Sequence, residues 1–287
     1  MNKKDFQVKQ DTEFSLDEFS TSDTGGFKDK GDTKDILKKN IKKMFSLQNM
    51  LYAYDKYSLL IIFQAMDAAG KDGTIKHVMS GLNPQGTQVF SFKQPSPEEL
   101  DHDYLWRIHK HVPERGRIGI FNRSHYEEVL VVRVHDLIKN QKIPPGLVNK
   151  DIWDLRYREI NNFEQYLYEN GTIILKFFLH VSKEEQKKRF LKRIDTPEKN
   201  WKFSASDIDE RKYWDKYQAA YAEAISATSK KHSPWFIIPA DHKWFMRYAV
   251  SQVIVEALEG IKMSYPVLSD EQLANLESCK EQLLQEK

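Results

Sequence analysis

The sequence predicts an α/β fold in which a central parallel sheet carries helices on both faces. Five short apolar runs, each typical of a buried strand, alternate with segments whose apolar residues recur at helical spacing. This alternation is typical of parallel sheets, because each crossover between parallel strands uses a helix. Neither an internal repeat nor a clear linker divides the chain. We therefore expect one domain, residues 34–287, preceded by an extended polar arm, residues 1–33.

The individual elements follow from the spacing of apolar residues and from helix caps. The five predicted strands are 59–63, 87–92, 116–121, 172–179 and 235–238. The predicted helices are 33–54 with Asp32 or Thr33 as the N-cap, one opening at Thr74, one after Pro97, 149–170, one capped by Ser182, 208–229, 241–260 and 270–287. Residues 129–134 fit either a helix or a strand.

Composition narrows the class of protein. The 287 residues contain 44 Lys and Arg against 42 Asp and Glu, a formal net charge of +2, which gives no global attraction to nucleic acid or membranes. Cys279 is the single cysteine, so an internal disulfide and a cysteine-based zinc site are excluded. The N-terminal residues lack an apolar targeting segment, and no apolar run approaches the length of a membrane span. We expect a cytoplasmic protein.

A glycine-lysine turn follows the first predicted strand. Asp67, Gly70, Lys71 and Gly73 lie between that strand and the helix predicted from Thr74. Such a turn makes a phosphate cradle, because backbone N–H groups and a helix N-terminus face the anion and a lysine reaches its oxygens. The P-loop spacing G-x-x-x-x-G-K-[ST] is only partly met. Ala65 replaces its first glycine and Asp72 its hydroxyl residue, so an ordinary turn with a solvated lysine is the alternative.

Polar side chains also follow other predicted strands. Asn122, Arg123 and Glu127 come after the third strand, and His180 after the fourth. Because ligands of parallel α/β sheets bind at the carboxyl ends of the strands, we expect these residues to meet the glycine-lysine turn. A carboxylate at Asp67 would repel a bare phosphate, and it suits a site that also holds Mg²⁺. The alternative is a carboxylate that only stabilises its own turn.

A basic segment follows the fourth predicted strand. Residues 187–202 carry several Lys and Arg side chains on a helix and a polar loop, ahead of another predicted helix. This pattern is typical of a kinase lid that closes over phosphates, and the predicted lid spans about 187–215. A solvated surface helix is the alternative.

Three stretches taken together resemble the family-2 polyphosphate kinases, and most closely their class III members. They are QAMDAAGKDGTIK at 64–76, FNRSHYE at 121–127 and NWKFS at 200–204, and the resemblance extends over about residues 35–265. It implies a P-loop, thymidylate-kinase-like, three-layer α/β/α fold with a lid. It further implies polyphosphate as donor, AMP and ADP as acceptors, dependence on Mg²⁺ with Mn²⁺ as a substitute, and a homodimer or homotetramer.

The resemblance also assigns roles to residues. Asp67, Lys71 and Arg123 would be catalytic, with Asp67 as a metal ligand, and we infer that Glu127 is also catalytic and a metal ligand. The remaining residues that it implies in phosphate or substrate binding are Ala68, Ala69, Gly70, Asp72, Gly73, Thr74, Lys76, Asn122, Arg133, Arg189, Arg193 and Lys202.

The second motif departs from the commoner family pattern D-R-S-W-Y-N-R. Asn122 stands in place of its aspartate, His125 in place of its tryptophan, and Glu127 in place of its asparagine. Class III members share these exchanges. We expect Glu127 to take over part of the work of the missing carboxylate.

Two other functions fit the same sequence. An ATP-dependent nucleotide kinase on this fold would use ATP as donor and need no polyphosphate. A non-catalytic P-loop protein could bind nucleotide, or contact a nucleic-acid backbone through the basic helix 187–193. Salt-dependent binding of DNA or RNA without turnover would favour this last reading.

Overall fold

The computed structural model describes residues 3–10 and 14–286, and its centre is a five-stranded parallel sheet. The strand order is β2-β3-β1-β4-β5, and every neighbouring pair is parallel. The strands are β1 (Ser58–Gln64), β2 (Thr87–Ser91), β3 (Ile118–Asn122), β4 (Thr172–His180) and β5 (Trp235–Pro239). The predicted fold class and all five predicted strands are confirmed.

Helices cover the sheet and give the three-layer arrangement. They are α1 (Lys30–Tyr54), α2 (Lys71–Val78), α3 (Pro97–Leu100), α4 (Trp106–His109), α5 (Val131–Val134), α6 (Ile152–Glu169), α7 (Lys183–Ile194), α8 (Ala205–Glu210), α9 (Trp214–Thr228), α10 (Lys243–Gly260) and α11 (Asp270–Gln285). Helix α10 packs on α1, α2 and β5, whereas α6 packs on β4 and α9. None of these helices is apolar over a length that could cross a membrane.

The first helix begins three residues earlier than predicted. Its N-cap is Asp29, whose side chain accepts the N–H of Gly31 at 2.5 Å, and the Asp32 carboxylate accepts the N–H of Lys28 at 2.7 Å. The prediction of Asp32 or Thr33 as the cap was wrong, because Asp32 instead completes the capping box from inside the first turn.

Other helices are shorter than their apolar spacing predicts. The stretch after Pro97 forms only the single turns α3 and α4, and the predicted helix 208–229 is broken into α8, a 3-10 turn at Arg211–Tyr213 and α9. Residues 129–134 are helical, since α5 follows a 3-10 turn at His125–Val129. The lid predicted at 187–215 therefore contains most of α7, a 3-10 helix at Pro197–Lys202, and α8.

The described part of the N-terminal arm lies against β5. Val8 N–H donates to the Trp235 carbonyl at 2.9 Å, and Ile237 N–H donates to the Phe6 carbonyl at 2.8 Å, which forms an antiparallel bridge. Phe6 and Val8 are buried. Because the arm covers the open edge of β5, it protects that edge from pairing with other chains. Residues 1, 2 and 11–13 of the predicted arm, and residue 287 of the predicted domain, lie outside the described residues.

The register of the sheet positions the site. Phe63 in β1 pairs with Asn122 in β3, and Gln64 pairs with Phe178 in β4. The chain that leaves β1 therefore passes beside the chain that leaves β3, at one edge of the sheet. Asp67 and Arg123 lie on those two adjoining exits.

Candidate active site

The loop between β1 and α2, residues 65–70, turns sharply at Gly70. Gly70 has φ of 116°, a conformation that favours glycine, and a Cβ there would meet Met246 Cε at 3.1 Å. Gly70 is the N-cap of α2, so the helix begins at Lys71 and not at Thr74 as predicted. Asp72 consequently lies in the first turn, where its negative charge suits the helix dipole.

Arg123 connects the two strand exits. Its guanidinium donates to Asp67 Oδ1 at 2.8 Å and to Glu127 Oε2 at 3.4 Å. The negative charge of Glu127, and after it that of Asp67, raises the pKa of Arg123. Arg123 has φ of 66°, a left-handed backbone that is uncommon for a residue with a side chain. The structure thus brings together three of the four residues predicted to be catalytic.

Asn122 faces Asp72 on the other side of this group. Its Nδ2 donates to Asp72 Oδ1 at 2.8 Å. An aspartate at 122 would place two carboxylates against each other, whereas the amide donates a hydrogen bond to Asp72. The exchange of Asp for Asn in this motif is therefore matched by a partner on α2.

Lys71 lies folded back over the loop. Its Nζ donates to the Ala65 carbonyl at 2.8 Å. Burial and the nearby Arg123 lower the pKa of Lys71 to about 8, although the surrounding carboxylates act in the opposite direction. The ammonium is charged at neutral pH and is poorly solvated, so an approaching phosphate would be strongly attracted to it.

These groups line a large cleft of about 1220 Å³. Pockets for one drug-sized ligand usually measure about 300–1,000 Å³, so the cleft has room for two substrates. Basic side chains outnumber acidic ones in the lining. The basic set is Lys71, Lys93, Arg107, Arg123, Arg189, Lys192, Arg193, Lys199, Lys202, Lys243 and Arg247, and the acidic set is Asp67, Asp72, Glu127, Glu128 and Asp207.

Most residues predicted for phosphate binding do line the cleft. They are Ala68, Gly70, Asp72, Gly73, Asn122, Arg189, Arg193 and Lys202, together with all four predicted catalytic residues. Among the described residues, the lining does not include Ala69, Thr74, Lys76 or Arg133. Their role as phosphate ligands stays a prediction without support from their placement.

The side chains of Thr74, Lys76 and Arg133 have other surroundings. The Thr74 hydroxyl is buried and donates to the Gly70 carbonyl at 3.0 Å, and Lys76 is exposed on α2. Arg133 forms an ion pair with Glu223 at 2.7 Å and donates to the Tyr157 hydroxyl at 2.7 Å. Glu223 lies 90 residues from Arg133 in the sequence, so the spacing of residues did not indicate that this carboxylate pairs with Arg133.

Arg189 lines the cleft, yet its donors face the backbone. Its guanidinium donates to the carbonyls of Ala68 at 3.1 Å, Ala69 at 2.5 Å and Ala240 at 2.5 Å. Its Nε donates to Glu185 at 2.8 Å. In this arrangement Arg189 holds the 65–70 loop and the exit of β5 together, which differs from the predicted contact with phosphate.

The sequence analysis missed two cations on α10. Lys243 and Arg247 are four residues apart and line the same cleft, and burial lowers the pKa of each. They follow the carboxyl end of β5, and no site residue was predicted after the second or the fifth strand. The rule that ligands bind at strand ends would have found them.

A buried lysine beneath the site was also missed. Lys176 in β4 has its Nζ within 2.6 Å of Glu164 and donates to the Tyr126 hydroxyl at 2.9 Å and the Thr228 carbonyl at 2.7 Å. Burial acts to raise the pKa of Glu164, but Lys176 and then His125 hold it at about 2. Because His125 and Tyr126 follow Arg123 in the chain, this network supports the segment that carries Arg123. The sequence signal for this network is a lysine within the apolar run of β4, because a lysine is almost never fully buried unless it is paired.

Two carboxylates of the site could hold a metal ion. Within residues 3–10 and 14–286 there is no ready-made group of three or more His, Cys, Asp or Glu ligands. Mg²⁺ does not require one, because it commonly takes one or two carboxylates and completes its octahedron with water and substrate phosphates. Asp67 and Glu127 are carboxylates directed at the same guanidinium, so their oxygens fit that requirement.

Comparisons with known proteins agree with the α/β fold and with a cleft suited to phosphate groups. Residues 27–266 match the family model described as Polyphosphate kinase 2 (PPK2). The chain is 52% identical to an ADP-polyphosphate phosphotransferase of Rhodopseudomonas palustris, with 98% of each chain covered. It is 46% identical to an AMP/ADP-polyphosphate phosphotransferase of Meiothermus ruber, covering 92% of this chain and 95% of the relative. A crystal structure of polyphosphate kinase 2 from Arthrobacter aurescens TC1 superposes with a TM-score of 0.87 at 40% identity, covering 96% and 95%.

Proposed function

The chain belongs to the polyphosphate kinase 2 family, and from this premise we propose that it transfers the terminal phosphoryl group of inorganic polyphosphate to AMP and ADP, giving ADP and ATP. The relative from Meiothermus ruber bears both acceptors in its name, and the one from Rhodopseudomonas palustris bears ADP. The resemblance of Asn122, His125 and Glu127 to the class III pattern supports AMP as an acceptor beside ADP.

One observation carries the proposal. Lys71 and Arg123 lie beside Asp67 in a cleft whose walls carry further cations from α7, the 3-10 helix Pro197–Lys202 and α10. The 65–70 loop and Lys71 would be enough to bind a single phosphate group. A wall of cations beyond the loop fits a long polyanion that extends out of the reacting centre.

The lining of the cleft also includes apolar side chains and amides. The apolar side chains are Phe92, Leu100, Val131, Val132 and Leu137, and the amides include Asn140 and Gln141. An apolar surface with a few amides fits a nucleoside, so we propose that these residues contact AMP or ADP while the cations contact polyphosphate.

The chemistry asked of the residues is positioning and charge neutralisation. A terminal phosphate oxygen of AMP or ADP attacks the terminal phosphorus of the chain; one P–O bond forms, the bond to the next phosphate breaks, and the chain leaves one unit shorter. Lys71 and Arg123 neutralise charge on the oxygens of the transferred group. Because that attacking oxygen is already ionised near neutral pH, a general base contributes little.

We propose that Asp67 and Glu127 hold Mg²⁺, with Mn²⁺ as a substitute. The ion supplies positive charge between two polyanions that would otherwise repel each other. Arg123 uses only one oxygen of each carboxylate, Asp67 Oδ1 and Glu127 Oε2, so the other oxygen of each would be available to the ion. The same carboxylates keep the Arg123 guanidinium oriented before substrate arrives.

Donor choice is the experiment that tests this function. The purified chain is incubated with Mg²⁺ and either polyphosphate or ATP as donor, and with AMP or ADP as acceptor; ADP and ATP are then measured. Transfer from polyphosphate to both acceptors is expected. Transfer from ATP to AMP without any from polyphosphate would instead identify an ATP-dependent nucleotide kinase, and salt-dependent nucleic-acid binding without turnover a binding protein.

A homodimer or homotetramer in the cytoplasm remains part of the proposal. Light scattering of the purified chain at several concentrations would measure the mass of the assembly. A mass equal to one chain at all concentrations would contradict it.

A further inference from the structure

Three consecutive carbonyls of the 65–70 loop accept hydrogen bonds from one helix. Gln186 Nε2 donates to the Asp67 carbonyl at 2.8 Å, and Arg189 donates to the carbonyls of Ala68 and Ala69. Gln186 and Arg189 are three residues apart on α7 and so share a face. Since peptide units are planar and trans, fixing these carbonyls also fixes the direction of the N–H groups that follow them.

Gln186 has a second partner in the predicted lid. Its Oε1 accepts from Arg211 Nη1 at 2.5 Å, and the same nitrogen of Arg211 donates to the Lys183 carbonyl at 3.1 Å. Arg211 belongs to the 3-10 turn after α8. One buried glutamine, only 2% exposed, therefore bridges the backbone at Asp67 and a side chain of the lid.

The chemistry of the three groups fixes the direction of this bridge. A guanidinium only donates, so the amide oxygen must face Arg211; a carbonyl only accepts, so the amide nitrogen must face Asp67. Gln186 and Arg211 also line a small cavity of about 40 Å³ together with Asp67, Arg123 and Glu127. Asp67, Arg123 and Glu127 thus line both this small cavity and the main cleft, so the bridge lies next to the reacting groups.

We infer that Gln186 is a positioning residue that couples the lid to the 65–70 loop. When Arg211 holds the amide, the Asp67 backbone is fixed in the geometry that the Arg123 ion pair requires. When the lid moves away and Arg211 leaves, the amide is free to rotate and its hold on Asp67 weakens. Ala68 has φ of 60°, a left-handed backbone that is uncommon for a residue with a side chain, so the hydrogen bonds from α7 help to hold it there.

The test separates the two halves of the bridge. Gln186→Met removes both hydrogen bonds of the bridge at similar side-chain volume. Gln186→Glu keeps an acceptor for Arg211 but loses the donor to the Asp67 carbonyl. Arg211→Met removes the hydrogen bonds that Arg211 donates and leaves the one from Gln186 to Asp67. Gln165→Met, on the exposed face of α6, is the matched control. Amide hydrogen exchange is followed on the full chain, in peptides that cover the 65–70 loop and residues 204–213.

Coupling predicts that Arg211→Met raises exchange in the 65–70 loop as well as in its own segment, by about fivefold, the effect of one lost hydrogen bond. Gln186→Met should raise hydrogen exchange in both segments, and Gln186→Glu should raise it in the 65–70 loop. Exchange in the loop that stays at the level of the control in Arg211→Met would overturn the inference. If Gln186→Met unfolds, which a general rise in exchange would reveal, the other two variants still decide.

Turnover supplies a second readout, which rests on the proposed function. Arg211→Met and Gln186→Glu should lower kcat about 10- to 100-fold with KM for ADP nearly unchanged, since a loop misplaced by about 1 Å costs a factor of this size. A rise in KM without loss of kcat would contradict a positioning role. Failure of the unsubstituted chain to transfer would refute the proposed function alone, because the exchange measurement needs no activity.

Discussion

Asn122 donates a hydrogen bond from Nδ2 to Asp72 Oδ1 at 2.8 Å, and this pair joins the end of β3 to the first turn of α2. Both residues are positions at which the chain departs from the common motifs, since an aspartate is usual at the first and a hydroxyl residue at the second. The two departures are therefore linked by one hydrogen bond, since the amide at 122 donates to the carboxylate at 72.

Asn122→Asp should make stability depend on divalent cations. Two facing carboxylates repel each other, and Mg²⁺ that binds only the folded state would relieve the repulsion and stabilise it. We expect Mg²⁺ to raise Tm more in this variant than in the unsubstituted chain. Thermal melts with EDTA and with Mg²⁺ measure the difference, and Asn149→Asp, exposed before α6, controls for the added charge. Equal Mg²⁺ effects in both variants would argue against the pairing.

Asp67→Asn should remove most of the phosphoryl transfer. The amide keeps the shape of the side chain but loses the charge that orients Arg123 and that we propose holds Mg²⁺, so we expect a loss of about 3–4 kcal/mol, or several hundredfold in kcat. Asp154→Asn on the exposed side of α6 is the control. Turnover near that of the unsubstituted chain would remove Asp67 from the site.

Glu127→Ala should also abolish most activity. Glu127 is the second carboxylate on Arg123 and the proposed replacement for the aspartate missing at 122. We expect at least about a hundredfold loss of kcat, with measurable activity in Asn122→Asp. The control is Glu114→Ala, whose side chain is 74% exposed. A silent Glu127→Ala would end the idea that Glu127 compensates for Asn122.

The pKa of Lys71, lowered to about 8, predicts the alkaline side of the pH profile. The ammonium is charged below this pKa and neutral above it, so kcat/KM for polyphosphate should fall as pH rises through about 8. In kcat the fall should come at higher pH, because a bound polyanion favours the charged form. Lys71→Arg keeps its charge and should lose this limb. A profile that is flat to pH 9.5 in the unsubstituted chain would contradict the assignment.

Lys176→Met should destabilise the fold strongly. It leaves the Glu164 carboxylate buried beside an apolar side chain, and breaking a buried pair in this way costs about 3–5 kcal/mol. Adding Glu164→Gln should restore part of the loss, because the amide carries no charge. Chemical denaturation of the single and double variants measures both effects. If the double variant loses as much free energy of unfolding as the two single variants together, the two residues do not stabilise each other.

The fold could be predicted from the sequence because its pattern is local. Strands buried on both faces are continuous apolar runs, and the residues at their carboxyl ends must meet. This argument found Asp67, Lys71, Arg123 and Glu127. What it missed depends on contacts between distant parts of the chain. Arg133 pairs with Glu223, and Arg189 binds the carbonyls of Ala68, Ala69 and Ala240. Neither partner is visible in the spacing of residues.

Helix bounds show the same limit in a simpler form. The left-handed Gly70 starts α2 at Lys71, and the capping box of Asp29 and Asp32 starts α1 at Lys30. Apolar periodicity begins later in both helices, so it places each start three residues late. A cap is set by one residue, through its backbone conformation at Gly70 and through its side-chain hydrogen bond at Asp29, and apolar spacing reports neither.

The central claim is that polyphosphate is the donor and loses one terminal phosphate per nucleotide phosphorylated. Phosphorus NMR of a mixture of the chain, Mg²⁺, short polyphosphate and ADP measures both sides of that balance at once. We predict that ATP appears in step with the loss of internal phosphate signal and with shortening of the chain. Polyphosphate that stays intact while ATP fails to form, with AMP as well as with ADP, would contradict the account.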